Sequence, residues 1–537
     1  MPLPPAADHD SPAAGDLDPL LPGPDLAGDK SRPERLTIDE MLQRHCGEFG
    51  WWQLRHFALT NLALTLEAFH TMVMVFTDRE PDFRCVGGGG GGGVCDPAAA
   101  QGVCGLDPGS WEWAGGPGGT IVAEWGLVCG QKFKVGLVQA AFFVGCMIGA
   151  GTFGHLADTT LGRKGSLTVV SIMNAVLGCL TAFSPNYWAY LVVRLLTGIS
   201  CGGVGLAAFV LSTEPVGPTK RGTAGGSSFY FFSSGIGILS ALAYFLQPWR
   251  QLYIASSLPS VAYLFLALPF ISESPRWYLV RGRVEEAMKV MRSIAHSNGN
   301  SIPDGVVLAL DEDASSNGNE KKSEQTALIT TGTLTDVLGS PVTRTRLLLG
   351  MAVSFLSSTV YYGLSLNVVN LGTNLYANVA VNAAAEMPSF TLTAVLLDKV
   401  GRKPLAIATQ VFSGVSCLIG SVVTGRAGGG AWWEVVRTAC GVMGVFGMAG
   451  AYNMLYVYAA ELFPTVVRNA AMGCALQAAQ VGAILAPFVV VAVPAWVPFA
   501  VMAACGIGGG LLTFMLPETL NRPLYDTIAG IEEGEMS

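Results

Sequence analysis

Apolar residues in this chain come in long blocks separated by short polar turns. Blocks of about 20 residues, enough to cross a bilayer core, fall at about 54–76, 134–156, 165–185, 187–211, 225–246 and 251–271. A second set falls at about 346–366, 371–396, 403–424, 431–459, 469–492 and 494–516. The pattern predicts an all-α integral membrane chain of 12 transmembrane helices in two bundles of six. The first bundle would occupy 37–271 and include a polar loop at 78–132; a hydrophilic linker, 272–344, leads to the second bundle, 345–516. Residues 1–36 are rich in Pro, Ala and Asp, lack an apolar period and read as a disordered tail; 517–537 form the other tail.

Local signals refine this outline. Thr37-Ile-Asp-Glu40 fits a capping box and predicts a short helix before the membrane. In the linker, Val284, Ala287, Met288, Met291 and Ile294 share one helical face, which predicts an amphipathic helix against the membrane or the bundle. The run Gly87–Gly93 cannot pack a core and reads as a flexible insertion. The start lacks the basic and apolar regions of a cleavable signal peptide, while Asp16 with Leu20 and Leu21 fits an acidic dileucine sorting pattern.

The two bundles echo one another. Gly154–Lys164, GHLADTTLGRK, packs charge into a turn between two apolar blocks, and Leu396–Pro404, LLDKVGRKP, repeats it with Asp398 lying 240 residues after Asp158. Arg194-x-x-x-Gly198 returns as Arg437-x-x-x-Gly441, Glu214 and Arg221 return as Glu461 and Arg468, and Glu273 returns as Glu518. Echoes in one order mean parallel structural repeats, one route to a secondary transporter.

Composition agrees. Of 537 residues, 51% are hydrophobic and 13% charged, and the mean hydropathy is +0.45; a soluble protein carries nearly twice that charge. No basic stripe with interleaved aromatics supports nucleic-acid binding. Lys and Arg gather on one side, at Arg163, Lys164, Lys220, Arg221, Lys399, Arg402, Lys403 and Arg468. The positive-inside rule therefore places these turns, the linker and both termini in the cytoplasm. Four of the 12 cysteines, Cys85, Cys95, Cys104 and Cys129, lie in the loop on the other side, where two disulfides in one of three connectivities are expected. No Cys-x-x-Cys pair offers a zinc site, and no cofactor is expected.

The six-plus-six pattern with these echoes resembles the major facilitator superfamily. Glu273-Ser-Pro-Arg-Trp277, Arg281-Gly-Arg-x-Glu-Glu-Ala287, Glu461-Leu-Phe-Pro-Thr-x-x-Arg-Asn469, Ala385-Glu-Met-Pro388 and the large first loop resemble organic cation transporters. Cys46-Gly-Glu-Phe-Gly50, Phe76-Thr-Asp, Trp111-Glu-Trp113, Glu124-Trp-Gly-Leu-x-Cys129 and Pro523-Leu-Tyr525 are similar to the plant organic cation/carnitine branch. The resemblance covers about 37–530 and implies a two-domain carrier, expected to be monomeric, for a small organic cation or zwitterion: carnitine, choline or a polyamine. Proton or sodium coupling stays open, as do the plasma membrane, which is favoured, and the vacuolar membrane. It also implies an inner gate of Asp158, Arg163, Lys164, Arg194, Glu214 and Arg221, mirrored by Asp398, Arg402, Lys403, Glu461 and Arg468. Two positions depart from the pattern. Gln480 stands where cation-carrying animal relatives hold an aspartate in the eleventh span, and Gly202 falls at about the position of a lysine that family members carry in the fourth span.

Ionisable residues inside spans are functional candidates by default. Glu386 and Glu67 are the midspan carboxylates, able to attract a cation or carry a coupling proton, with Glu386 ranked first because Pro388 loosens the helix beside it. Tyr361 and Tyr362 offer rings to a quaternary ammonium. Arg194 and Arg437 read as midspan cations: Arg194 is expected to tie its helix to the cytoplasmic turns, and Arg437 to pair with a carboxylate of the second bundle. Two other readings compete: a proton-coupled sugar carrier, since sugar porters share the turn motifs, and a non-transporting receptor that uses the loop. No Walker A run, His-Glu-x-x-His or nucleophile elbow supports an enzyme.

Overall fold

The computed structural model describes residues 34–86, 103–104, 106, 109–309, 334–425, 431–464, 467–491, 494–520, 528 and 531–532. Among them, 12 helices are long and apolar enough to cross a membrane. Helices 1 to 6 are Trp51–Thr77, Cys129–Thr159, Gly162–Thr181, Tyr187–Thr213, Pro218–Phe245 and Trp249–Phe270. Helices 7 to 12 are Pro341–Asn370, Leu375–Val400, Arg402–Gly425, Trp432–Leu462, Ala470–Val491 and Trp496–Phe514. The bundle thus has a basic end, carrying the Gly-Arg-Lys turns, and a loop end, carrying the cysteines.

Local chemistry sets the helix limits. Asn186 and Asn374 cap helices 4 and 8 by accepting bonds from the amides of Ala189 and Ala377. Pro218 and Pro341 occupy first helical positions, where a missing N–H costs nothing. At the basic turns Gly162 and Gly401 have φ of 78° and 102°, a region that favours glycine. Helix 8 stays continuous through Pro388.

Helices 2 and 4 cross at a seam of small residues. A Cβ added at Gly145 or Gly149 would strike the carbonyls of Leu195 or Ile199, and one at Gly198 or Gly202 those of Phe142 or Cys146. Both helices carry Gly-x-x-x-Gly, and the backbones approach as closely as that motif permits. A side chain at position 202, lysine included, has no room. Gly414 and Gly506 bring helices 9 and 12 together in the same way.

Each half carries its own small cap at the basic end. Glu34–Leu36 pairs in parallel with Val306–Leu308, so the stretch read as tail and the stretch read as linker meet in a two-stranded ribbon. The capping box at Thr37 forms as expected: Glu40 N–H donates to Thr37 Oγ1, and Thr37 N–H donates to the Glu40 carboxylate, holding that carboxyl below its ordinary range. The amphipathic helix Val284–Ser297 buries Met288, Met291 and Ile294 against Leu36, Met41 and Leu42. In the second half Val337, Leu347, Leu462, Phe463 and Leu516 form a matching core with Ile528 beside it, and Ser340 donates to Glu532.

At the loop end Phe83–Cys85 and Trp111–Trp113 form an antiparallel ribbon. Cys104 and Cys129 are joined by a disulfide, and Cys85 is disulfide-bonded as well. Cys95, the glycine run and the dileucine pattern lie outside the described residues. Glu124 accepts bonds from Trp249 Nε1 at 2.7 Å and Arg250 Nη2 at 2.5 Å, which fastens the loop's last segment to helix 6.

The Gly-x-x-x-Gly seam generates a stability prediction. Gly202→Val overpacks the crossing and should destabilise the first half by about 1–3 kcal/mol, read as a lower melting temperature of the detergent-purified protein. A melting temperature equal to the wild type would mean that helices 2 and 4 are further apart than described.

Candidate functional site

Two charge clusters sit at the basic end, one per half. Arg163 bridges Asp158 at 3.0 Å and Glu214 at 3.2 Å. Arg402 bridges Asp398 at 3.3 Å and Glu461 at 3.0 Å. The arginines are largely buried, while Asp158 and Asp398 are 71% and 79% exposed. The structure therefore brings together Asp158, Arg163 and Glu214, and separately Asp398, Arg402 and Glu461. Lys164 and Lys403 join through their backbones, and Lys403 Nζ lies 4.9 Å from the Phe514 ring centre.

Glu273 and Glu518 complete the clusters. Glu273 accepts bonds from the amides of Arg163 and Lys164, capping helix 3. Glu518 does the same for helix 9 through Arg402 and Lys403. A carboxylate at a helix N-terminus satisfies orphan amides and complements the helix dipole. Burial works against the Glu518 charge, but amides of Leu520, Arg402, Thr519 and Lys403 outweigh it and hold its carboxyl below the ordinary range. Its contribution to stability is therefore complete at neutral pH and is lost as pH falls through that lowered value. Both glutamates are visible in the sequence as an echo; only their caps show that they belong to these charge clusters.

Arg221 and Arg194 stand apart from the expected gate. Arg221 donates to Asp39 at 2.7 Å, and Arg276 donates to the same oxygen. Asp39, missed as a gate neighbour, reaches it because the first-half cap folds under helix 5. Arg468 lies just before helix 11. Arg194 is 1% exposed, donates to the His70 carbonyl at 3.1 Å and packs over the Phe142 ring at 4.3 Å. Helix 4 starts at the loop end, so a residue in its first third cannot reach the basic turns. Arg437, in the first third of helix 10, donates to the Leu371 carbonyl and does not pair with Glu386. Both arginines keep matching places in the two halves, but near the loop end and not midspan.

The halves touch nearer the basic end, where Phe209 and Phe229 meet Tyr456 at 6.4 Å and 5.7 Å, and again toward the loop end. Ser240 donates to the Tyr376 carbonyl at 2.6 Å, Phe76 stacks on Tyr376 at 5.7 Å, and Gly136 leaves space for Phe488. Nearer the basic end an open groove of about 730 Å³ runs along helix 2 at Met147, Gly151, Thr152 and His155, with Gln477 of helix 11 beside it. Between these levels lie the midspan candidates. Glu386 is 2% exposed. It accepts a bond from Tyr361 at 3.0 Å and another from Ser233 across the seam between the halves. Glu67 is half-buried against Gly205. Tyr361 stacks on Tyr452 at 5.5 Å, Tyr362 meets Phe143 at 4.7 Å, and Tyr452 meets Tyr456 at 5.9 Å. Tyr452 and Tyr456 were not singled out, though their i,i+4 spacing puts both on one helical face. Among the described residues the buried amide oxygen of Gln480 finds no partner.

Comparison with known proteins agrees with this geometry. Residues 56–528 match the model of the family described as sugar (and other) transporter. The chain is 62% identical to organic cation/carnitine transporter 4 of Arabidopsis thaliana, covering 96% of this chain and 95% of that one. It is 32% identical to the organic cation transporter protein of Drosophila melanogaster, covering 91% and 93%. The xylose transporter XylE of E. coli, in a partially occluded inward-open conformation, superposes with a TM-score of 0.62 at 16% identity, covering 87% of this chain and 98% of that one.

The clusters generate a kinetic prediction. Asp158→Asn or Arg402→Gln should lower turnover roughly tenfold, because a salt bridge that holds one conformation is lost, while equilibrium substrate binding changes little. Transport and detergent-phase binding measured on the same variants check this; a loss of binding as large as the loss of turnover would contradict it.

Proposed function

This chain belongs to the sugar (and other) transporter family, with the major facilitator fold, and within it to the organic cation/carnitine transporters; from that premise we propose that it carries small organic cations or zwitterions by alternating access. Carnitine, choline and polyamines are the substrate classes in view. The observation that carries the reading is the midspan seam, where Glu67 and Glu386 stand among Tyr361, Tyr362, Tyr452 and Tyr456. Carboxylates and tyrosine faces suit a quaternary ammonium, and they favour a cation over the neutral sugar of the rival reading. The arginines do not oppose it, since Arg194 and Arg437 are engaged by carbonyls nearer the loop end.

The rest of the reading follows from charge and packing. The basic end faces the cytoplasm, and the disulfide loop faces the outside of a plasma membrane. The halves touch through helices 5 and 8 and through helices 2 and 11. The gate clusters hold each half's basic turn, and exchange between states rocks one half against the other.

Uptake of labelled carnitine, choline, spermidine and glucose into cells expressing the protein, with and without a pH gradient, tests this. At least one cation or zwitterion should accumulate several-fold over control cells, and glucose should not. Glucose uptake alone would replace the reading with a sugar carrier; no uptake of any of the four would favour the receptor.

A further inference from the structure

The two midspan carboxylates are in different chemical situations. Both oxygens of Glu386 are engaged: Tyr361 donates to one and Ser233 to the other. Ser233 lies on helix 5 of the first half and Glu386 on helix 8 of the second, so the bond crosses the seam. It is one of a row. Ser240 donates to the Tyr376 carbonyl nearer the loop end, and Tyr230 meets Thr391 at 2.5 Å nearer the basic end. Helices 5 and 8 are therefore fastened along their length, with Glu386 in the middle of the row and 2% exposed. A substrate cation reaching this carboxylate would have to displace a hydroxyl from each half.

Glu67 has none of these ties. Among the described residues its carboxylate accepts no hydrogen bond and forms no ion pair, and it is only half-buried. It rests in a notch on helix 4, where a Cβ at Gly205 would lie 3.0 Å from both of its oxygens. It lies within electrostatic range of the hydroxyls of Tyr362, Tyr452 and Tyr456, all from the second half. An uncompensated charge in a membrane is costly, and an arriving cation supplies the missing partner.

We propose that Glu67 is the counter-ion for the substrate's cationic head, with Tyr362, Tyr452 and Tyr456 as its aromatic wall, and that Glu386 is a positioning residue that clasps helix 5 to helix 8. The ranking read from the sequence is reversed. Gly205 is a specificity determinant at one remove, because it leaves the space that the Glu67 carboxylate occupies. The charge missing at Gln480 on helix 11 is supplied from helix 1. This assignment rests on the cation-carrier reading.

The test is a split of KM from Vmax for labelled choline in cells expressing full-length variants. Glu67→Gln should raise KM roughly ten- to a hundredfold, the usual loss for one charged contact, and Glu67→Asp should fall between it and the wild type. Gly205→Ala should raise KM in the same direction by displacing the carboxylate. Glu386→Gln and Ser233→Ala should lower Vmax per surface-labelled carrier and leave KM within about twofold, because they act on the clasp. KM does not depend on the number of carriers, so partial loss of expression leaves the comparison intact. A wild-type KM in both Glu67→Gln and Gly205→Ala, in a protein that carries choline, overturns the assignment alone, as does a KM rise confined to Glu386→Gln. A wild-type protein that carries no cation overturns the functional reading and this assignment with it.

Discussion

A charge placed in or beside a bilayer must find a partner, since water is not there to solvate it. At the basic end this requirement shapes both halves alike. Arg163 and Arg402 are largely buried between two carboxylates each. Glu273 and Glu518 close the arrangement by capping the helices on which those arginines sit. Four helix ends per half are joined in this way. The left-handed glycines at 162 and 401 belong to the same device, because the carboxylate of Glu273 or Glu518 occupies the space that a side chain there would need.

The halves are alike in this but differ in how they are finished. In the first, Asp39 binds Arg221 and Arg276, and Glu48 accepts bonds from the amide and hydroxyl of Thr219 at the start of helix 5. Asn298 from the linker helix donates to Cys46 O and Gln53 and accepts from the Trp52 amide. The segment before helix 1 and the segment after helix 6 are therefore parts of one cap. The second half uses Val337 and Ile528. Among the described residues, each cap packs on its own half.

Midspan, the same physics separates residues that look equivalent. Glu386 meets its need for partners within the protein, with one hydroxyl from each half. Among the described residues Glu67 accepts no hydrogen bond and forms no ion pair. In the proposed assignment the two carboxylates have different tasks: Glu386 keeps the seam in register, and Glu67 meets a ligand whose occupancy biases the conformations the carrier joins.

Much of this was legible in the chain itself. Twelve long apolar blocks admit only a helical membrane protein, because helices satisfy their own backbone in lipid. Asp158 and Asp398, Glu214 and Glu461, and Glu273 and Glu518 recur in order, so the gate could be anticipated as a repeated unit. Those features are local, or repeat along the chain, and need no knowledge of neighbours. The partners of Arg194, Arg221 and Arg437 could not be read in this way. Each depends on which end of its helix faces the basic turns and on which distant carbonyl or carboxylate folds beside it. The same holds for Gly202, whose meaning lies in the carbonyl of Cys146 across a helix crossing, and for the order of Glu67 and Glu386. In sequence both are single carboxylates in apolar runs; only the tertiary structure brought Ser233 and Tyr361 to one and, among the described residues, no donor to the other.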